Sequence, residues 1–226
     1  TRSHPTSPKI TLSFFFMITL RKARYEDSEF IARMVMMALH ITEEENPRLY
    51  NHMVELVKDE KILYHWSRAV IAMDATINTK NTSIIGSTLS QEGQSCLPIG
   101  LCLAYDGIDY HERRVYSFSF VCKDRKPVSE NNAELLAQPD ESEAGEMYVD
   151  SLAVIPEYRG KGIGRMLLMD ALKRAEDMAL TPTILVNPNN TPAVKLYRSV
   201  GFEYGEEMRV FGEDYHKYKK TWHYPT

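Results

Sequence analysis

Seven residues, Arg159-Gly160-Lys161-Gly162-Ile163-Gly164-Arg165, constrain this chain more than any other stretch, because of what flanks them. Upstream runs the apolar, β-prone segment Met147–Ile155, closed by Pro156. Downstream, Leu167, Leu168, Ala171, Leu172 and Ala175 recur at helical spacing between Met166 and Ala179. A strand, a glycine-rich turn and a helix in that order gather free backbone N–H groups at a positively polarised helix end, which suits a phosphate. Glycines there let the backbone approach a ligand and adopt positive φ.

Spacing narrows the kind of site. A nucleoside-triphosphate loop needs four residues between its glycines and then Lys-Ser/Thr, which this run lacks. The dinucleotide fingerprint places its glycines at other intervals than 160, 162 and 164. The pattern that fits is Arg-x-x-Gly-x-Gly, carried by Arg159, Gly162 and Gly164. It resembles the acyl-coenzyme A signature of the GNAT N-acetyltransferase superfamily. A second block, Asn190, Ala193, Leu196, Tyr197, Gly201 and Phe202, is spaced like that family's later motif. Within it Thr191 is suited to cap a helix whose first turn holds Pro192, and Gly201 to follow its end. A third block, Leu20, Arg21, Ala23, Asp27 and Ile31, resembles the family's first strand and helix. There Asp27 stands where an N-cap belongs, ahead of an apolar face of Phe30, Ile31, Met34, Val35 and Ala38.

The resemblance implies an α/β (α+β) GNAT fold: a mixed, mostly antiparallel central sheet flanked by helices, with strands 4 and 5 splayed apart. One domain over residues 17–226 is expected. The resemblance also implies acetyl-CoA as cosubstrate, its pyrophosphate held by the amides of Arg159, Gly160, Lys161, Gly162, Ile163, Gly164 and Arg165. Leu152, Ala153 and Val154 occupy the strand positions that present backbone groups to the pantetheine arm. Asn190 matches the amide that contacts this arm or positions the next helix. Tyr197 matches the family tyrosine that donates a proton to the departing thiolate; a phenol of pKa about 10 is protonated at neutral pH.

Acetyl transfer to an alkyl amine also needs a base. Removing a proton of pKa ~10.4 at pH 7 costs roughly 4.6 kcal/mol. Glu146 and Asp150 are the candidates, with a chain of waters as the alternative. Four residues apart, they share one face of an unbroken strand.

Composition sets outer bounds. The 226 residues suffice for one sizeable core, and a formal net charge of −4 gives no general attraction to nucleic acid. Cys96, Cys102 and Cys122 lack metal-ligand spacing and read as thiols of a reducing, cytoplasmic setting, and no HExxH pattern or other metal site is expected. No apolar run approaches a membrane span, so no membrane partner is expected. Met17 directly precedes the first strand, Ile18–Arg21, and residues 1–16 read as a disordered or added extension rather than a signal peptide.

Between the motifs, Asn46-Pro47 opens a helix with Tyr50, Met53, Leu56 and Val57 as its apolar face. Ile62–Met73 is read as another helical stretch. In the GNAT fold this pair covers the acceptor entrance, which leaves a substrate role open for Tyr64, His65 or Trp66. Ser83–Leu89 and Leu97–Tyr105 read as a hairpin turning at Gln91–Gln94. Tyr116–Phe120 alternates like a strand but could equally be helical, and Lys123–Gly145 reads as a long polar link that turns acidic. Thr183–Asn187, Glu203–Phe211 and Tyr215–Trp222 read as strands.

Transfer of an acetyl group to the primary amine of a small molecule or peptide is the expected activity. A different acyl group, an oxygen acceptor, or a non-catalytic coenzyme-binding sensor are the alternatives. The acidic stretch near residues 140–146 reads either as favouring a cationic acceptor or as solvated surface, and a homodimer is compatible with the family but marked by no residue pattern.

Overall fold

The computed structural model describes residues 18–44, 46–75, 88–89, 95–121 and 137–222. The readings for residues 1–17, Cys122, the hairpin turn at 91–94 and most of Lys123–Gly145 fall outside them.

Among the described residues eight strands form: β1 Ile18–Lys22, β2 Ala69–Asp74, β3 Thr88–Leu89, β4 Ser95–Asp106, β5 Glu146–Val154, β6 Thr181–Val186, β7 Glu203–Val210 and β8 Glu213–Lys219. Five helices accompany them among those residues: α1 Ser28–Ala38, α2 Pro47–Leu56, α3 Tyr110–Val121, α4 Ile163–Asp177 and α5 Thr191–Ser199. The sheet runs β1-β2-β4-β5-β6-β8-β7, with β3 paired onto β4 as the described part of the expected hairpin. Every pairing is antiparallel except β5 with β6. The mixed, mostly antiparallel sheet is thus as expected. Its splayed pair is β5 and β6, one number higher than in the family's order because β3 intervenes.

Each face of the sheet carries its own core. On one face α1 and α2 bring Phe30, Ile31, Met34, Val35, Met53 and Leu56 against Leu101, Leu103, Tyr105 and Tyr148. The expected α1 stripe is buried there, apart from the partly exposed Ala38. On the other face α4 buries Ile163, Leu167, Leu168, Ala171, Leu172 and Ala175 against Cys102, Ala104, Val149 and Ile184. Asp27 does precede α1, but its carboxylate is not a helix cap: it receives Arg21 through two hydrogen bonds of 2.7 Å and the Arg24 amide. Such a fork ties β1 to the start of α1.

Two sequence readings are corrected. Ile62–Met73 is not a helix. It is a turn, a short 3-10 stretch at Trp66–Arg68 and the strand β2, all six residues of which are buried between β1 and β4. A short apolar run covered on both faces carries no alternation, so its periodicity cannot tell helix from strand. Tyr116–Phe120, left open between strand and helix, is helical. Between Tyr110 and Ser119 the buried residues of α3 are Tyr110, Arg114 and Ser117, at helical spacing but two of them polar, so no apolar stripe announced it there. Ser117 settles there by donating to the Arg113 carbonyl at 2.6 Å and accepting the Leu63 amide at 3.0 Å.

Candidate active site

Strands β5 and β6 pair only at Glu146–Thr181, Met147–Pro182 and Tyr148–Thr183, although β5 runs on to Val154 and β6 to Val186. Beyond Tyr148 the two strands part, which leaves backbone groups on both edges without a strand partner across the gap. A bulge lies in the same stretch. Leu103 faces Ser151 and Ala104 faces Val149, so Asp150 has no opposite number on β4. A bulge bends the strand and re-aims its extra side chain.

At the far end of β5 stands the glycine turn. Gly160 and Gly162 have φ of 73° and 81°, which L side chains rarely adopt, and a Cβ on either would meet nothing within 4 Å. Their backbone is therefore open to an approaching group. Gly162 is the N-cap of α4 and no side chain caps that end. The first intrahelical bond, Met166 N to Gly162 O at 3.0 Å, leaves the amides of Gly162, Ile163, Gly164 and Arg165 outside the helical ladder. A cavity of about 230 Å³ lined by Ile18, Tyr158, Lys161, Ile163 and Met166 lies against the turn. Uncapped amides, a positive helix end and open space fit the diphosphate of a coenzyme A thioester.

The side chains of the turn are engaged mostly within the protein. Ile163 is buried in the α4 core. Arg159 donates from Nε to the Val154 carbonyl at 3.0 Å, and Arg165 donates to Ser199 Oγ at 2.8 Å. Both arginines staple the turn to its surroundings. Lys161 is exposed, its ammonium 4.6 Å from the Tyr158 ring centre. A Cβ at Gly164 would touch Leu196 at an ordinary 3.5 Å, so no protein atom demands glycine there. Leu152, Ala153 and Val154 lie on β5 beyond the point where β6 departs.

Asn190, not Thr191, caps α5: its side-chain oxygen accepts the Ala193 amide at 3.3 Å. Tyr197 follows on the buried face of α5, 6.1 Å from the Phe202 ring centre. Its hydroxyl makes no hydrogen bond among the described residues. Burial, with the neighbouring Cys102 as a lesser influence, raises its pKa above the ordinary value of 10.0, so the proton stays on. Gly201, just past the helix, has φ of 93° as expected.

Glu146 and Asp150 take different partners, and the bulge in β5 falls at Asp150 itself. Glu146 turns toward β6 and β8. It accepts Lys217 Nζ at 2.8 Å and Thr183 Oγ1 at 3.3 Å, and both members of the ion pair have side chains 5% exposed. Asp150 turns toward β4, where it accepts the Tyr105 hydroxyl at 2.5 Å and Ser151 Oγ at 3.1 Å. Burial, then the nearby Glu141 carboxylate, pushes the Asp150 carboxyl up to about 7, while Tyr105, Ser151 and the Arg68 charge act the other way. Around it stand groups that no motif marked. Tyr105, Tyr110 and Tyr148 pack their rings 5.8–6.3 Å apart. Tyr148 donates to Glu141 at 2.5 Å, and burial raises Glu141 too. Tyr64 is buried, and its pKa is raised well above the usual value by that burial and then by Asp150. His65 points elsewhere, to Ser67 at 2.8 Å.

A mixed sheet opened at its one parallel pair, with an uncapped helix end at the mouth and a bulged acid within, is the GNAT acyl-CoA N-acyltransferase fold. Comparison with known proteins agrees. Residues 98–202 match the acetyltransferase (GNAT) family. Mycothiol acetyltransferase from Thermobifida fusca is 40% identical over 74 residues, which is 32% of this chain and 22% of that protein. The chain thus spans about a fifth of the length of that curated relative. An N-acetyltransferase structure from Staphylococcus aureus Mu50 superposes with a TM-score of 0.60 at 19% identity, covering 89% of this chain and 99% of the other. Arabidopsis thaliana NAA60 in complex with acetyl-CoA superposes with a TM-score of 0.52 at 16% identity, covering 89% and 97%. Among the described residues no helix is long and apolar enough to cross a membrane, and no cluster of three His, Cys, Asp or Glu could hold a metal.

Proposed function

We propose that this protein transfers the acetyl group of acetyl-CoA to a primary amine. The observation that carries the reading is the coincidence of three features along β5: uncapped amides at the α4 end, a gap toward β6, and a bulged Asp150 poised near neutrality. The thioester supplies the acyl group. The amides of residues 162–165 hold its diphosphate, and each charge-assisted hydrogen bond contributes about 1.5–3 kcal/mol. Backbone groups of Leu152–Val154 guide the arm between the parted strands.

Asp150 is the preferred base. A carboxylate with pKa near 7 takes a proton from an ammonium far better than one near 4, while still being largely ionised above pH 7. The amine then attacks the carbonyl carbon: the C–N bond forms, the C–S bond breaks, and the amine's proton resides on Asp150. Tyr197, kept protonated by burial, supplies a proton to the leaving sulfur. Glu146 is read instead as a structural ion pair with Lys217, joining β5 to β8 behind the gap. Asn190 orders the helix that bears Tyr197. A cytoplasmic setting belongs to the same reading, supported by the buried thiol of Cys102.

Release of free coenzyme A thiol, followed across a panel of amines, tests the reading. Amine-dependent release supports transfer. Tight acetyl-CoA binding with no release on any acceptor would make the protein a coenzyme-binding sensor.

A further inference from the structure

Two acids end at one tyrosine cluster. Tyr105, Tyr110 and Tyr148 are buried and pack their rings 5.8–6.3 Å apart. At one end the Tyr105 hydroxyl donates to Asp150 at 2.5 Å. At the other, Glu141 accepts the Tyr148 hydroxyl at 2.5 Å and that of Tyr110 as well. Tyr148 is also the last β5 residue to pair with β6, so the cluster stands where the strands begin to part. No motif marked Glu141, and acetyl transfer as described leaves it without a task.

Neither acid has a cation to itself. Arg114 and Lys217 favour the ionised form of Glu141, but Arg114 donates to Asp140 at 2.9 Å and Lys217 to Glu146 at 2.8 Å. Arg68 favours ionised Asp150, yet its donors are turned to the carbonyls of Glu60, Ile62 and Leu63. Tyr64, ahead of β2, and Tyr215, on β8, lie near Glu141, and burial raises both phenols, so neither carries charge at neutral pH. Packed rings exclude water, and charges across such packing are screened far less than at a surface. The order of ionisation follows from the donors. Glu141, with two phenols and two cations nearby, gives up its proton first. Asp150, with one phenol and Ser151, must then ionise against a like charge.

We propose that Glu141 is a positioning residue for the base: its negative charge, fixed by the tyrosine hydroxyls, opposes a second one on Asp150 and so decides where on the pH scale the site becomes active. The inference rests on the reading of Asp150 as base and adds the regulation of that site. Burial comes first and Glu141 second among the influences that push Asp150 up to about 7.

The test follows the Asp150 carboxyl itself, by carbon-13 NMR of aspartate-labelled protein across the pH scale, with Asp150→Asn to assign the signal. This readout needs no turnover. In Glu141→Gln, which keeps an acceptor for a phenol, the Asp150 midpoint should fall by about half a pH unit or more. The rising limb of kcat/KM should move to lower pH with it, and Glu141→Asp should restore both. Tyr148→Phe keeps the ring but takes a donor from Glu141, which then holds its proton to higher pH, so the Asp150 midpoint should fall there too. An Asp150 midpoint unmoved in folded Glu141→Gln, or in Tyr148→Phe should the first variant not fold, would overturn the inference and leave acetyl transfer standing. A midpoint that falls while the kcat/KM limb stays in place would keep the coupling of the two acids and remove Asp150 as base.

Discussion

Replacing Asp150 by asparagine should cost activity and gain stability at the same time, and this pairing separates a tuned base from a structural acid. In the folded protein the carboxyl lies near 7, against an ordinary value of 3.8. Between those values the folded state binds the proton that the unfolded chain has released. Stability therefore falls as pH rises through this window, because proton uptake favours the folded state only below it. A difference of about 3 pH units at ~1.36 kcal/mol each sets an upper figure of ~4 kcal/mol, expressed fully above pH 8. Asparagine keeps an acceptor for the Tyr105 hydroxyl but cannot ionise, so it escapes that cost. For a chain of this length ~1 kcal/mol moves the melting temperature by about 2–4 °C. Thermal unfolding of wild type and Asp150→Asn at pH 5 and pH 8 should show a gap that opens with pH, the variant being the more stable at pH 8. Meanwhile kcat/KM of the wild type should rise about tenfold per unit below pH 7 and level off above it, and the variant should lose roughly 10²–10⁴-fold. A wild-type profile flat from pH 5.5 to 8.5, or a variant of near-normal activity, would refute the assignment of Asp150 as base.

Three further outcomes are expected. Tyr197→Phe should lower kcat by roughly 10²-fold or more while leaving the calorimetric affinity for acetyl-CoA within about twofold, since it removes a proton donor and not a coenzyme contact. Gly162→Val should weaken acetyl-CoA binding at least tenfold, because φ of 81° is strained for a β-branched residue and its side chain would enter the open space above the turn; undiminished binding counts against the turn's role. Lys217→Met should destabilise the fold by up to about 3–5 kcal/mol in denaturant titration, since it leaves the buried Glu146 carboxylate only the partly exposed Lys219 at 3.6 Å, and Glu146→Gln/Lys217→Met should recover much of that loss.

Local patterns set much of this protein by themselves. The glycines at 160 and 162, the stripe from Leu167 to Ala175 and the Asn190–Phe202 block each act within a few turns of chain, so spacing alone placed the turn, α4 and α5. The same holds for α1 and α2. Tertiary structure decided what depends on partners far apart in sequence. The run Ala69–Asp74 became a strand because β1 and β4 cover both its edges and helices cover both its faces, a condition no local period records. The helix α3 buries Arg114 and Ser117 through hydrogen bonds to distant segments, so its buried face does not read as apolar. Above all, two similar acids on β5 met different partners: Glu146 a lysine 71 residues on, and Asp150 a tyrosine 45 residues back. A carboxylate's proton affinity follows from its burial and neighbouring charge, and folding alone supplies both.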